Sequence, residues 1–211
     1  MTELDSPVAD LKAHYSELYR RFGASHQAVQ WSSRETQERR FDILCDLLAP
    51  EDSLLDLGSG LGDLLGYLRR EKGFSGRYLG LDVVPGFVAH ARKAYAADGR
   101  ASFAELDVTR EPLPTGYDVV VASGIFNNRI ENNWGFLTAG VAKMFGAARK
   151  AVAFNALSSY VDYEDAGLYY CDPLRLFDHL KRHVAPKLTL RHDYLVKPNS
   201  IPFEFSMYLF K

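Results

Sequence analysis

Cysteine is scarce: Cys45 and Cys171 are the only two in 211 residues, too few for a disulfide framework and without the C-x-x-C spacing of zinc or redox sites. Both are expected to be free, buried thiols. Long apolar runs are missing as well. The best of them, YDVVVASGIF from Tyr117, falls far short of the roughly 18 residues that a membrane span needs. The opening MTELDSPVAD shows neither a basic n-region nor an apolar h-region of a secretory signal, so a cytoplasmic protein is the expectation. An excess of one charge is absent too. With 25 basic and 27 acidic side chains the formal charge is -2, which gives no global attraction to nucleic acid or anionic lipid. Low-complexity tracts and internal repeats are not found.

What is present is the composition of an ordinary globule. Hydrophobic residues make up 47% and charged residues 25%, enough to build a sizeable core and to exclude disordered and fibrous classes. The length fits one domain at about 150 residues per domain, with an extension. The patterning divides the chain near Pro50: residues 1–50 are expected to form an N-terminal helical extension or lid, and residues 51–211 the core domain. In RETQERRFDILCDLL, Phe41, Leu44, Cys45 and Leu48 recur at helical spacing. Beyond Pro50, strand and helix patterns alternate. SLLDLGSG leads to DLLGYLRR, RYLGLDVV to PGFVAHARKAYA, and YDVVVASGIF to a helix over 133–150. AVAFNAL then runs through the loop SSYVDYEDAGLYY to a helix opened by Pro173, and KLTLRHDYL and EFSMYLFK close the pattern as an antiparallel hairpin. Parallel strands need crossovers long enough for a helix, so the fold class is α/β: a doubly wound, mostly parallel, seven-stranded sheet with the hairpin at its end.

The most informative segment is LLDLGSGLGDLLGYL, residues 54–68. Asp56 ends a strand, and Gly58, Gly60 and Gly62 follow at alternate positions before a helix near Asp63. Such a turn lets a ligand approach the backbone and the unpaired amides of the helix. It does not fit the dinucleotide fingerprint, because Asp63 and Leu65 stand where the third glycine would fall. An acidic residue at the helix start also disfavours phosphate.

In these residues the chain resembles the class I S-adenosylmethionine-dependent methyltransferases, with their Rossmann-like fold, whose first motif is an acidic residue followed by G-x-G-x-G. The resemblance implies S-adenosyl-L-methionine as cofactor, held by Asp56, Gly58, Ser59 and Gly60 at the first turn. It implies that Asp82 holds the ribose hydroxyls, for which a carboxylate has two acceptor oxygens. Val83 would pack on the adenine, Asp107 would accept from the adenine amino group beside Val108, and Ser123 with Gly124 would lie beneath the transferable methyl. Asp82 and Asp107 also have a purely structural reading as caps or turn residues. Outside this core, HYSELYRRFGASHQAVQW, ETQERRF, GIFNNRIENNW, FNALSSYVDYEDAGLYY and LRHDY resemble a group of small bacterial methyltransferases.

Ligands of open α/β sheets lie beyond the carboxyl ends of the strands, so acceptor contacts are expected from the loops there and from the N-terminal segment. The candidates are Trp31, Asn127, Tyr160, Tyr163 and Tyr170, with Asn128, Arg129, Ser158, Ser159, Asp162 and Tyr169 nearby. Each tyrosine has packing as its alternative. Arg40 is a candidate for the cofactor's methionine carboxylate or an acidic acceptor, its alternative being a solvated helix face. His192 is the candidate general base, although Asp193 would face away from it in a regular strand. His179 and His183, four apart on a predicted helix, lack a third ligand and are expected to be solvated; no metal is expected. With no N-PP-[YFW] pattern after the fourth strand, nucleic-acid substrates are disfavoured.

The expected function is methyl transfer to oxygen or nitrogen of a small-molecule acceptor. A binding module for S-adenosylmethionine or S-adenosylhomocysteine without turnover is the alternative, and an NAD-dependent oxidoreductase a more distant one. Monomer and homodimer are both open.

Overall fold

The computed structural model describes residues 8–211. The first seven residues of the expected extension lie outside the described residues.

Two N-terminal helices, α1 (Ala9–Phe22) and α2 (Arg34–Leu44), precede β1 (Leu54–Leu57), α3 (Asp63–Glu71), β2 (Tyr78–Asp82), α4 (Pro85–Ala94), β3 (Ala101–Glu105) and β4 (Tyr117–Ala122). There follow α5 (Asn133–Ala147), β5 (Ala148–Ser158), β6 (Tyr170–Cys171), α6 (Pro173–His183), β7 (Lys187–Arg191) and β8 (Glu204–Phe210). The helix starts are written in the sequence. Ser33 accepts from the Thr36 amide at the head of α2, Asn132 from Gly135 at α5, and Asp172 from Leu174 and Arg175 at α6. Pro85 and Pro173 stand in first turns, where a missing N–H costs nothing.

The sheet runs in the order β3-β2-β1-β4-β5-β8-β7, with the two-residue β6 beside β5 off this path. The first five strands are mutually parallel, and β8 is antiparallel to both its neighbours. The α/β class and the terminal antiparallel pair are as expected. Three details differ. β6 adds an eighth short strand, the helix expected over 133–150 gives way to β5 at Ala148, and the hairpin strands are joined by residues 192–203. β1, the middle one of the five parallel strands, is buried throughout, as a parallel strand covered on both faces should be.

One face of the sheet, with Leu54, Tyr78, Phe103, Val119 and Val121, packs on α2, α3 and α4 through Phe41, Leu44, Leu64, Leu65, Leu68 and Val88. The other, with Leu55, Leu57, Leu81, Val120, Val152 and Phe154, packs on α5 and α6 through Leu137, Val141, Met144, Leu176 and Leu180. Leu65 and Leu68 are wholly buried, so truncating either to alanine should cost about 2–5 kcal/mol.

The strand order reverses about β1: β2 and β3 lie on one side of it, β4 and β5 on the other. The crevice at that switch point, beyond the carboxyl ends of β1, β2 and β4, is where such sheets take ligands.

Candidate active site

The turn after β1 is fully left-handed at its glycines. Gly58, Gly60 and Gly62 have φ of +79°, +53° and +85°, a region that costs other residues about 1–2 kcal/mol. Space forbids a side chain too: a Cβ on Gly58 would come within 2.1 Å of an Ile125 methyl. The Gly58 and Ser59 amides donate to the Leu81 carbonyl at 2.7 and 3.0 Å, pinning the turn to β2.

Asp82 completes the clasp. Its Oδ2 accepts from the Gly60 amide at 2.8 Å and its Oδ1 from Val84 at 2.9 Å. A carboxylate has about four acceptor positions, so these amides, with that of Val83 also directed at it, leave acceptor capacity for a further donor. Burial pushes its carboxyl up to about 6 against the pull of the backbone donors. Asp56 lies deeper, beneath the turn, where it accepts from the Tyr78 hydroxyl at 2.5 Å. Burial, then the nearby charges of Asp82 and Asp63, push it up to about 7. Its side chain is tied to β2 through Tyr78.

Three buried polar atoms have no protein partner among the described residues: Ser59 Oγ, Ser123 Oγ and Asn127 Oδ1. Ser59 Oγ points under the turn, beside Gly80. Ser123 and Asn127 belong to the segment that follows β4, on the other side of β1 from Asp82. Buried polar atoms in a native fold are normally paired, so these are where a bound polar ligand would be felt.

Beyond the clasp, Val83 is half-buried and Val108 buried. Asp107 holds its own turn, Oδ1 accepting from the Thr109 amide at 2.9 Å and hydroxyl at 2.6 Å. The turn-residue alternative is therefore visible in the structure.

The N-terminal segment covers the crevice. Tyr15 and Tyr19 of α1 pack edge-on against Phe87 at the start of α4. The Tyr15 hydroxyl accepts from Asn128 Nδ2 at 2.8 Å, and burial, helped by the charge of Asp82, pushes it up to about 12. A Val29 methyl lies 3.2 Å from the position of a Cβ on Gly60, and the Trp31 ring 2.7 Å from that on Gly124.

Arg40, the candidate for the cofactor's methionine carboxylate, does not take its alternative reading of a solvated helix face, and its guanidinium is engaged within the protein. It is buried, with Nε on Glu204 Oε2 at 2.8 Å, Nη1 on the Thr36 carbonyl at 2.9 Å, and its guanidinium 4.4 Å from the Trp31 ring centroid. Glu204 and Asn155, neither of them a candidate from the sequence, extend this contact. Asn155 Oδ1 accepts from the Gly124 amide at 2.9 Å and its Nδ2 donates to Glu204 Oε1 at 3.3 Å. Burial raises the Glu204 carboxyl, with Arg40 opposing.

The remaining candidates spread along the rim. His192 follows β7 and sets Nε2 at 3.0 Å from the Pro202 carbonyl, an acceptor, so Nε2 donates there. Asp193 turns instead to Arg191, at 3.0 Å. Tyr160 lies 6.1 Å from the His192 ring; Tyr170 accepts from the Asp165 amide through its hydroxyl; Tyr163 is 78% exposed and stands apart. His179 also departs from expectation, half-buried and edge-on to Trp134 at 5.4 Å, while His183 is exposed. Among the described residues no group of three or more His, Cys, Asp or Glu could hold a metal, and no helix is long and apolar enough to cross a membrane.

A parallel sheet whose strand order reverses at β1, a left-handed glycine turn and a carboxylate clasping it from β2 define a class I S-adenosylmethionine-dependent methyltransferase. Residues 54–154 match the methyltransferase domain family. Rv1506c of Mycobacterium tuberculosis (strain ATCC 25618 / H37Rv), whose name assigns it provisionally to the methyltransferases, is 38% identical over 148 residues, covering 67% of this chain and 86% of that protein. The chain thus belongs to the methyltransferase domain family. Its fold is also that of magnesium protoporphyrin IX methyltransferase (ChlM) from Synechocystis PCC 6803 with bound SAM, at TM-score 0.67, 12% identity and 100% coverage of both chains. The DhpI-SAM-HEP complex aligns at TM-score 0.59 and 15% identity over 97% of this chain and 96% of that one.

Proposed function

We propose that this chain transfers a methyl group from S-adenosylmethionine to an oxygen or nitrogen of a small-molecule acceptor, at the carboxyl end of β4. The observation that carries the reading is the pair of buried, unpartnered atoms there, Ser123 Oγ and Asn127 Oδ1, one strand across from the Asp82 clasp. Asp82 would take the ribose hydroxyls with its remaining acceptor capacity, Val83 and Val108 would flank the adenine, and Asp107 would meet its amino group beyond the turn it already holds. The backbone of Gly58 to Gly60 would let the donor lie close. When bound, the sulfonium supplies an electrophilic methyl: the acceptor lone pair forms the new bond, the C–S electron pair stays on sulfur, and the acceptor proton leaves to solvent or a base.

Placement rather than acid–base chemistry carries this transfer, because the thioether leaves without protonation. β7 lies three strands from β4, roughly 14 Å at the usual strand spacing, so His192 is too far along the rim to reach an atom at the end of β4 unless the acceptor spans the gap. The acceptor would enter beside Trp31, Asn127 and Tyr160, with the N-terminal helices acting as a lid. A small acceptor fits a crevice so covered, and ChlM, similar in fold, is named for magnesium protoporphyrin IX, itself a small molecule. The two free, buried cysteines suit a cytoplasmic protein.

Calorimetric titration with S-adenosylmethionine, S-adenosylhomocysteine and NAD in parallel, followed by an acceptor screen, tests the reading. Binding of the first two and methylated product are expected. Binding without product for any acceptor would support the non-catalytic module, and binding of NAD alone would overturn the assignment.

A further inference from the structure

Five residues distant in sequence close a ring of contacts at the end of β4. The Gly124 amide donates to Asn155 Oδ1 at 2.9 Å; Asn155 Nδ2 donates to Glu204 Oε1 at 3.3 Å; Arg40 Nε donates to Glu204 Oε2 at 2.8 Å. The Arg40 guanidinium then lies 4.4 Å from the Trp31 ring centroid, and the edge of that ring rests on Gly124. We propose that Glu204 is a positioning residue for the methyl-transfer end of the crevice, fixing the Gly124 backbone through Asn155 and the Trp31 indole through Arg40. The inference rests on the reading of this crevice as the donor site.

The chemistry leaves the ring little freedom. A carboxylate only accepts and an amide N–H only donates, so Asn155, set between Glu204 and the Gly124 amide, has a single orientation of its side chain. Were Glu204 replaced by a donor, that orientation would lose its reason. Gly124 has φ +80° and meets the Trp31 ring where a Cβ would stand, so a shift in either is felt by the other. The ion pair is buried, with side-chain exposures of 6% for Arg40 and 1% for Glu204. Such pairs are often replaced by apolar residues without loss of stability, since desolvating two charges offsets their attraction. Its value to the fold is therefore a weak account of why charges stand here, whereas its geometry joins the lid, β4, β5 and β8 at one point. Tyr194 is the third donor toward Glu204, at 3.4 Å, and its hydroxyl has a closer partner in Ser206 at 2.8 Å, which leaves it outside the ring.

The test uses Trp134→Phe protein, in which Trp31 is the one tryptophan, since the chain has two. Adding Glu204→Gln should shift Trp31 emission to the red, raise its quenching by acrylamide, and move the Gly124 amide resonance with faster hydrogen exchange, all without ligand. Tyr194→Phe in the same background should leave these signals in place. If Glu204→Gln fails to fold, the paired change Arg40→Met with Glu204→Leu removes both charges at once and should show the same loosening. Unchanged Trp31 and Gly124 signals in a folded variant would overturn the relay. With S-adenosylhomocysteine added, the Trp134→Phe protein should report binding through Trp31, and Glu204→Gln should lose that report while its Kd stays within about threefold. Absence of binding to the unaltered relay would defeat the donor-site reading, and the ligand-free signals would still judge the relay.

Discussion

Asp82 should make donor binding depend on pH in a calculable way. Its carboxyl, pushed up to about 6 by burial, is ionised at pH 7.5 and mostly protonated at pH 5. If ribose hydroxyls donate to the carboxylate alone, the affinity for S-adenosylhomocysteine falls about tenfold between pH 7.5 and 5, or ~1.4 kcal/mol. Folding responds with the opposite sign. A carboxyl raised from 3.8 to about 6 gives stability that is full below pH 3.8 and is lost as the pH rises through 6. Ligand and proton therefore compete, and the gain in melting temperature from S-adenosylhomocysteine should be larger at pH 7.5 than at pH 5. Calorimetry at pH 5, 6 and 7.5, in two buffers of different ionisation enthalpy, reads both the affinity and the proton released. In Asp82→Asn the slope should vanish, and the affinity at pH 7.5 should drop by about 1–3 kcal/mol through the lost acceptor. Asp56 titrates nearby, pushed up to about 7, but remains intact in that variant. A flat affinity in the unaltered protein, or the same slope in Asp82→Asn, would refute the assignment of the proton and the ribose to Asp82.

Other expectations follow from single contacts. Tyr78→Phe removes the hydroxyl donor to Asp56; urea unfolding should show a loss of about 1 kcal/mol at pH 5, where Asp56 is protonated, and about 1.5–3 kcal/mol at pH 8.5, where it is charged. Equal losses at both pH values would mean that Asp56 does not ionise in this range. Gly124→Ala places a Cβ against the Trp31 ring at φ +80°, and should cost at least ~1 kcal/mol, seen as a lower melting temperature together with altered Trp31 emission. Cys45 and Cys171 are buried, and burial pushes both thiols up, Cys171 to about 11. Neither should react with a thiol reagent in native buffer, and both should do so in guanidinium; rapid native labelling would show that one of them is exposed by opening of the fold.

The parallel core was legible because each of its signals is local. Gly58 to Gly62, Pro85 and the alternating apolar runs act within a few residues of themselves, and the structure sets them where the pattern puts them. The ring around Gly124 was not legible, since its members are brought together only by tertiary packing. Arg40 and Glu204 are 164 positions apart. On a helix with Glu35, Glu38 and Arg39 beside it, Arg40 looks like one more solvated charge, and Glu204 looks like the outward residue at the start of an edge strand. It is buried because β8 is not an edge. Asn155 likewise stands inside an apolar run, where a polar residue signals a partner without naming it.

The position of β8 also bears on how the sheet assembles. β8 is inserted between β5 and β7, so β7, which precedes it in sequence, has no backbone partner until β8 has docked. A strand with an unpaired ladder on both sides is unstable, and α6, packed beside it, has only part of its apolar stripe covered before then. The segment 173–191 should therefore form late in folding and open first under native conditions, as a unit whose exchange protection depends on β8. The half-exposed β7, with Lys187, Thr189 and Arg191 alternating along it, is suited to that place: its charges discourage pairing with other chains during the interval in which its ladder is bare.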